Sequence, residues 1–154
     1  MDALETKLKD FIKHNNIPCE HFHFEQSCHS VEEAAKVANI QVEDLVKNVC
    51  FIGPNKELII AIVSGTKRAS ITRIEKLLNL TGIHTATVSE VLKLTGYPAG
   101  GVPSFGYPAT YIIDEQVMEK EIVYSGGGCE KSLVKVSPKE MQKQNKALIA
   151  RIRK

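Results

Sequence analysis

Apolar residues in the first part of the chain follow two repeats, one typical of helices and one of strands. Helical spacing predicts an opening helix that ends near Asn15 and carries its apolar face on Leu4, Leu8, Phe11 and Ile12. The loosely alternating stretch "IPCEHFHFEQ" predicts a short strand. The apolar runs "NVCFIG" and "LIIAIVSG", joined by the polar "PNKE", predict two buried strands.

Two Ser-x-x-Glu sequences indicate where further helices begin. In such a capping box each side chain can satisfy the backbone N–H of the other residue. The first box, Ser30 with Glu33, predicts a helix over "EEAAKVAN" that stops at Asn39, and the short helix "VEDLVK" leads from there into Lys47.

The second box, Ser137 with Glu140, has Pro138 at the first helical position, where its missing N–H costs nothing. It predicts a C-terminal helix. The apolar residues that this helix is expected to bury are Met141, Leu148 and Ile152.

The middle of the chain predicts shorter elements. One helix follows from the spacing of Ile71, Ile74, Leu77 and Leu78, with Gly82 closing it. Further strands are predicted at "HTATV", "ATYIID", "EIVYS" and, as the last strand, "SLVKVS". The remaining expected caps are Ser89 before "EVLKLT", which Gly96 ends, and Asp114 before a helical turn. Together these elements predict one mixed α/β domain over residues 1–154, with α+β character and peripheral helices.

Composition and charge exclude several classes of protein. The 154 residues are 43% apolar and 25% charged, which is ordinary for a globular domain and argues against disorder. A net charge of +2 is too small for a protein that wraps nucleic acid, although it allows a local basic face. No apolar run is long enough to span a membrane and the charged N-terminus does not resemble a signal peptide, so a cytoplasmic location without a membrane partner is expected.

Three kinds of chemistry-bearing site find little support in the sequence. Cysteine and histidine cluster at Cys19, His21, His23, Cys28 and His29, but their spacing fits no standard zinc site, so no metal is expected. No GxSxG elbow is present to activate a serine such as Ser104, and nothing in the sequence supplies a base for Cys129. The glycines match neither GxGxxG nor a P-loop.

The stretch "TGYPAGGVPSFGY", residues 95–107, is the most unusual segment, and we call it the glycine–proline loop. Glycine lets main-chain groups approach a ligand closely, while proline fixes the neighbouring backbone. The loop is therefore either a surface turn or a rigid loop that presents backbone groups. Lys47, at the start of a buried strand, either reaches solvent or places a positive charge in a cleft.

Three segments, in order, are similar to one known family. They are "SVEEAAKVANIQVEDLVKNVCFI", "LTGYPAGGVPSFGY", which has the form GYxxGGxxPxG apart from the spacing of its proline, and "YIIDEQVMEKEIVYSGGG". The set resembles the YbaK/prolyl-tRNA-synthetase-associated editing domains, which deacylate mischarged aminoacyl-tRNA. The resemblance covers nearly the whole chain and implies a single mixed, partly barrel-like sheet.

The resemblance also implies roles for particular residues. Lys47 would contact the terminal phosphate or steer the ester, beside Asn48, and Gly100 and Gly101 would line the aminoacyl pocket. Pro103 and Gly106 would set the loop. The other residues implied to shape the pocket are Gly126, Gly127, Gly128, Phe24 and Ser30. Backbone amides of a stiff glycine loop can form an oxyanion hole, so no triad and no cofactor is implied.

The substrate stays open at this point. Pro103 lies one place early relative to the bacterial YbaK-type members, and "GGGCEK" resembles the alanyl-editing relatives more than the cysteinyl-editing ones. A small amino acid such as Ala or Cys, carried on tRNA-Pro, is implied, and an aminoacyl-tRNA synthetase is a possible partner. Basic residues that could follow the tRNA backbone are Lys67, Arg68, Arg73, Lys139, Lys143, Lys146, Arg151, Arg153 and Lys154.

Two other functions compete with the deacylase. The first is a catalytically inactive tRNA- or synthetase-binding module of the same fold. The second is a small metal-dependent protein that uses the Cys/His cluster.

Overall fold

The computed structural model describes residues 2–154 and contains five α-helices and eight strands within them. The helices are α1 (Ala3–His14), α2 (Val31–Ala38), α3 (Ile71–Leu78), α4 (Val88–Thr95) and α5 (Pro138–Asn145). The strands are β1 (Cys19–His23), β2 (Val46–Ile52), β3 (Leu58–Ser64), β4 (His84–Thr85), β5 (Thr110–Asp114), β6 (Val123–Gly126), β7 (Ser132–Val136) and β8 (Leu148–Ala150). Two 3₁₀ turns lie at Val42–Asp44 and Val117–Glu119.

The strands form two sheets. The larger has the order β4-β2-β3-β5-β8, in which β3 pairs antiparallel with β2 and parallel with β5. The smaller is the antiparallel sheet β1-β7-β6, and a bridge between Leu45 and Tyr124 joins the two at one point. The mixed α/β class is confirmed. The single sheet expected from the sequence is instead two sheets, and the described strands do not close into a barrel.

Strand β3 lies at the centre of the core because both of its faces are buried. Ile60 and Ile62 point into the main core, which also contains residues of α1 and the smaller sheet. Ile59, Ala61 and Val63 point the other way, into a second cluster with α3. A continuous apolar run, rather than an alternating one, is what a strand buried on both faces requires. Its neighbour β2 is thereby fixed in register, with Lys47 opposite Val63.

Several helix ends differ from the sequence predictions. Thr87, not Ser89, caps α4, and its hydroxyl and the Glu90 carboxylate satisfy each other's backbone N–H groups. Helix α3 ends at Leu78 with Asn79 in the left-handed conformation, three residues before Gly82. The predicted helix "VEDLVK" is only the 3₁₀ turn Val42–Asp44.

The remaining caps are only partly as expected. Ser30 and Ser137 cap α2 and α5 through their side chains, but neither box is completed by its glutamate. Asp114 accepts a hydrogen bond from the Gln116 N–H, although the 3₁₀ turn that follows has no side-chain cap.

The C-terminal segment is the largest departure. Helix α5 ends at Asn145, and the chain then forms β8 parallel to β5, so "SLVKVS" is not the last strand. Met141 and Ile152 are fully buried, whereas Leu148 lies on β8 with 47% of its surface exposed. None of the helices between residues 2 and 154 has the length and hydrophobicity that a membrane crossing requires.

Candidate functional site

A cavity of about 170 Å³ opens where β2, the start of α2, the glycine–proline loop and β6 meet. Its lining combines polar groups with small or branched apolar side chains. The residues that line it are Cys28, His29, Ser30, Val31, Ala34, Leu45, Val46, Lys47, Asn48, Ala99, Gly100, Val102, Ser125, Gly126 and Leu133. Ligand sites for drug-sized molecules measure about 300–1,000 Å³. This cavity therefore suits a small group.

Lys47 projects from β2 into this region and is partly buried. Burial lowers the pKa of its ammonium group, and the nearby Arg68 guanidinium lowers it further, while Glu32 acts in the opposite direction. Among the ion pairs within residues 2–154, none includes Lys47. Its charge is therefore available to a ligand.

Asn48, the next residue of β2, belongs to a closed ring of hydrogen bonds with two buried serines. Its Nδ2 donates to Ser125 Oγ at 3.0 Å, and the Ser104 hydroxyl donates to Asn48 Oδ1 at 2.7 Å. The Ser104 and Ser125 oxygens are 2.6 Å apart, so the Ser125 hydroxyl donates to Ser104 and closes the ring. The second Nδ2 hydrogen goes to the Val102 carbonyl at 2.8 Å. The ring ties the loop to both β2 and β6.

Further hydrogen bonds hold the glycine–proline loop in place. The Asn145 side chain, at the end of α5, donates to the Ser104 carbonyl at 2.9 Å. The Tyr107 hydroxyl donates to the Pro103 carbonyl at 2.6 Å. With main-chain groups bonded at several points, the loop is a fixed structure rather than a slack surface turn.

The loop also packs main chain to main chain against residues 126–128, which we call the second glycine segment. The Gly128 N–H donates to the Gly101 carbonyl at 2.8 Å. A Cβ on Gly101 would lie 2.5 Å from the Cys129 nitrogen, and one on Gly126 would lie 2.1 Å from the Val102 oxygen. Only glycine permits this approach at either position.

A buried polar cluster supports the second glycine segment from behind. His21 Nε2 lies 2.8 Å from the Gly127 carbonyl oxygen. Glu5 of α1 is fully buried, and its Oε1 is 2.7 Å from His23 Nδ1 and 3.9 Å from His21 Nε2. Burial alone would raise the pKa of Glu5, but hydrogen bonds from His23, Cys129 and the Asp2 N–H outweigh it and leave the pKa lowered. Burial lowers the pKa of His21.

The structure brings some of the sequence-predicted residues to the cavity and places others behind it. Those that line it are Ser30, Lys47, Asn48, Gly100 and Gly126. Gly101, Pro103, Gly127 and Gly128 are buried and build the structure around it. Gly106, with φ +99°, lies against Phe11, and Phe24 stacks on Phe22.

Gly101 has no free main-chain donor for a ligand. Its N–H donates to the Pro98 carbonyl at 2.8 Å within the loop's own turn. By contrast, the amides of Gly100 and Val102 make no hydrogen bond among residues 2–154, and both residues line the cavity. These two N–H groups are the better candidates for binding an oxygen.

Side chains that could act as nucleophiles near the cavity are engaged or buried. Burial raises the pKa of the Cys28 thiol, and the hydroxyls of Ser104 and Ser125 are used in the ring. The Ser30 hydroxyl accepts from the Glu33 N–H as the cap of α2. Within residues 2–154 no group of three or more His, Cys, Asp or Glu side chains is arranged to hold a metal ion.

Sequence reasoning gave no indication of Ser125 and Asn145, because both are distant from the loop in sequence and reach it only after folding. It also missed Glu5, which reads as an ordinary polar position of an amphipathic helix. The sequence did carry one signal for a shared partner of His21 and His23, because the alternation of side chains in β1 places both on the same face.

Comparison with known proteins identifies the family to which this sequence is related. Residues 25–144 match the family described as the aminoacyl-tRNA editing domain. The chain is 25% identical over 144 residues to the uncharacterized protein YwhH of Bacillus subtilis (strain 168), covering 92% of this chain and 88% of that protein. It is 27% identical over 96 residues to the proline–tRNA ligase of Aquifex aeolicus (strain VF5), which is 62% of this chain but 17% of the ligase.

Solved structures show the same fold. The crystal structure of the hypothetical protein APE2540 has a TM-score of 0.89 and 27% sequence identity, covering 96% of this chain and 99% of that one. A structure described as a proposed trans-editing enzyme for prolyl-tRNA synthetase has a TM-score of 0.92 and 24% identity, covering 100% and 99%. The family match extends over most of the sequence and confirms the resemblance seen in its motifs. The chain belongs to the aminoacyl-tRNA editing domain family.

Proposed function

We propose that residues 1–154 form a single-domain trans-editing hydrolase, which removes a small amino acid from mischarged tRNA by cleaving the ester to the terminal ribose. One observation carries the proposal. Lys47, partly buried and without an ion-pair partner among the described residues, lies beside a cavity of about 170 Å³ that main-chain groups of the glycine–proline loop line.

The cavity suits the acyl part of such a substrate. Apolar side chains contribute to its lining, with Val31, Ala34 and Leu133 among them. A pocket of this kind selects by size, at about 1–3 kcal/mol for each methylene. Alanine and cysteine are small enough for this cavity, and we propose them as the acyl groups in preference to larger side chains.

The chemistry needs charge stabilisation more than a protein nucleophile. Water adds to the ester carbonyl carbon, and the bond from that carbon to the ribose oxygen breaks. The ribose oxygen takes up a proton, the amino acid leaves as its carboxylate, and one proton goes to solvent. The neighbouring ribose hydroxyl is well placed to assist, which agrees with the engagement of Ser30, Ser104 and Ser125 in other hydrogen bonds.

The negative charge that develops on the carbonyl oxygen requires donors. The Lys47 ammonium group and the free N–H groups of Gly100 and Val102 can supply them. Preorganised donors of this kind are worth about 100-fold or more in rate each. The rigid hydrogen bonding of the loop supports this role, because donors held in place need no reorganisation during the reaction.

The relatives support a proposal for the tRNA and the partner. Proline–tRNA ligases share about a quarter of their residues with this chain over the matched region. We therefore propose that the tRNA is the one that accepts proline and that the synthetase is the partner in the cell, in the cytoplasm, where mischarged tRNA is produced.

Deacylation of purified tRNAs charged with Ala, Cys, Ser and Pro tests the proposal. The wild-type protein should release a small amino acid, and Lys47→Ala should release it at least about 100-fold more slowly. Lys76→Ala, which removes an exposed lysine on α3, is the matched control and should behave as wild type. If every charged tRNA survives the wild-type protein but still binds it, the chain is an inactive binding module instead.

A further inference from the structure

A second depression lies directly beside the cavity, on the other side of Lys47. It has a volume of about 390 Å³, which is within the range of small-ligand sites. We call it the basic groove. The residues that line it are Lys47, Val49, Phe51, Arg68, Ala69, Ser70, Ile71, Thr72, Thr85 and Lys154. Lys47 lines both spaces, so the groove begins at the same side chain that borders the cavity.

The lining of the groove is positively charged, although Glu32, which is not among the lining residues, acts on the Lys47 charge from nearby. Lys47, Arg68 and Lys154 line it, and no Asp or Glu is among its lining residues. The guanidinium of Arg68 is exposed and takes part in no ion pair or side-chain hydrogen bond among residues 2–154. Arg68 also lies close enough to Lys47 to lower the pKa of its ammonium group. Two like charges held near each other indicate a site for an anion between them.

Other basic residues are less suited to this role. Arg153 is paired with Asp114 at 3.0 Å and with Glu115 at 3.7 Å. Lys67 lines a different depression, which also contains Glu43 and Glu119. The cations of the groove without an ion pair among residues 2–154 are therefore Lys47, Arg68 and Lys154, and of these Arg68 lies close enough to Lys47 to act on its charge.

The lining also indicates which part of a nucleic acid would bind. Single-stranded nucleic acids are commonly held by aromatic rings that stack on the bases and by cations that contact the phosphates. The aromatic residue of the groove, Phe51, is only 3% exposed and offers no stacking face. The groove therefore fits the phosphodiester backbone rather than the bases.

Resting on the proposed function, we infer that the basic groove binds the phosphodiester backbone of the single-stranded 3′ end of the tRNA, with Arg68 as its main phosphate contact. Lys47 then lies at the junction between the nucleotide backbone and the ester. This arrangement separates substrate binding from chemistry: Arg68 acts on affinity for the RNA, and the cavity acts on the acyl group.

Two substrates with the same ester test this separation. One is the mischarged tRNA, and the other is the same amino acid esterified to adenosine, which has no phosphodiester. Arg68→Ala should lower kcat/KM for the tRNA about 10-fold or more, mainly through KM, and leave the adenosine ester unchanged. Arg68→Lys should retain most of the activity. Lys76→Ala, on the exposed side of α3, should match wild type on both substrates.

A binding measurement keeps this inference distinct from the proposed function. A fluorescent single-stranded RNA with the sequence of the tRNA 3′ end is titrated at several salt concentrations. Loss of one phosphate contact in Arg68→Ala should reduce the slope of log K against log salt by about 0.7. If wild type hydrolyses nothing but Arg68→Ala lowers both affinity and slope, the hydrolase proposal fails and the groove assignment stands. If RNA affinity and kcat/KM are unchanged in Arg68→Ala, the groove assignment is wrong.

Discussion

Adding one methyl group at Gly126 should disrupt the protein far more than adding one at Gly100, although both glycines line the same cavity. At Gly126 the new Cβ would lie 2.1 Å from the Val102 oxygen, 2.7 Å from the Val102 carbonyl carbon and 2.9 Å from the Gly101 carbonyl carbon. All three are main-chain atoms, so the loop or β6 must move. At Gly100 the nearest atom is Nδ1 of His29, at 2.4 Å, on a side chain that is 60% exposed and whose one ion-pair partner among residues 2–154 is the similarly exposed Glu130 carboxylate, at 3.4 Å.

The magnitude can be worked from these contacts. Forcing a methyl into a well-packed position costs about 1–3 kcal/mol. Moving Val102 also breaks the hydrogen bond from Asn48, which adds about 1–3 kcal/mol because the groups are partly or fully buried. Gly126→Ala should therefore lose about 2–6 kcal/mol, whereas Gly100→Ala should lose less than about 1 kcal/mol. For a chain of this size the first loss corresponds to a fall in Tm of roughly 4–24 °C.

Urea unfolding and thermal melts of the two variants, with wild type alongside, measure the difference. Gly100→Ala also reports on function, because it narrows the cavity in a folded protein and should favour a smaller acyl group in the deacylation assay. Equal Tm values for the two variants would refute the main-chain contact between the loop and the second glycine segment.

Three further predictions concern the groups around the cavity. The Lys47→Met variant should lose deacylation activity yet keep or raise its Tm at pH 7, and a large fall in Tm would mark Lys47 as structural. Because burial lowers the pKa of Lys47 in the folded state, the stability of the wild-type protein should rise toward pH 10.5 more than that of the variant. The Glu5→Gln variant should be less stable than wild type at pH 7. Because the pKa of Glu5 is lowered in the folded state, the stability that this carboxylate contributes is present above pH 4.5 and lost below it, so the Tm of the variant should depend less on pH in the acid range. Glu130→Gln, which changes a carboxylate that is 62% exposed, is the control and should follow wild type. Asn48→Ala should lower the free energy of unfolding in urea by about 2–4 kcal/mol, because the buried Ser104 and Ser125 each lose a hydrogen-bond partner. A loss below about 1 kcal/mol would show that the ring does not hold the loop.

Features that depend on residues close together in the sequence, such as helix caps and buried strands, could be predicted from the sequence. Ser30 and Ser137 cap helices as their positions predict, and the run from Leu58 to Val63 forms a strand buried on both faces. The cap of α4 was misplaced because Thr87 and Glu90 form a Thr-x-x-Glu box that starts the helix two residues earlier than Ser89 would.

Features that depend on distant partners could not be read in the same way. Residues 148–150 carry a helical apolar pattern, but Lys146 takes the left-handed conformation and the chain then pairs with β5. At the site, the sequence indicated the glycine–proline loop and Lys47. The ring of Asn48, Ser104 and Ser125 joins residues 21 to 77 positions apart, and no spacing rule links them.

The contact between the two glycine segments constrains how this pocket can change over evolution. One side of the cavity consists of main chain, where a substitution such as Gly126→Ala disturbs the fold before it alters the pocket. Other parts of the lining consist of side chains, including Val31, Ala34 and Leu133, whose size can be changed one residue at a time. New acyl preferences should therefore arise by substitutions at these three positions, while the glycines stay fixed.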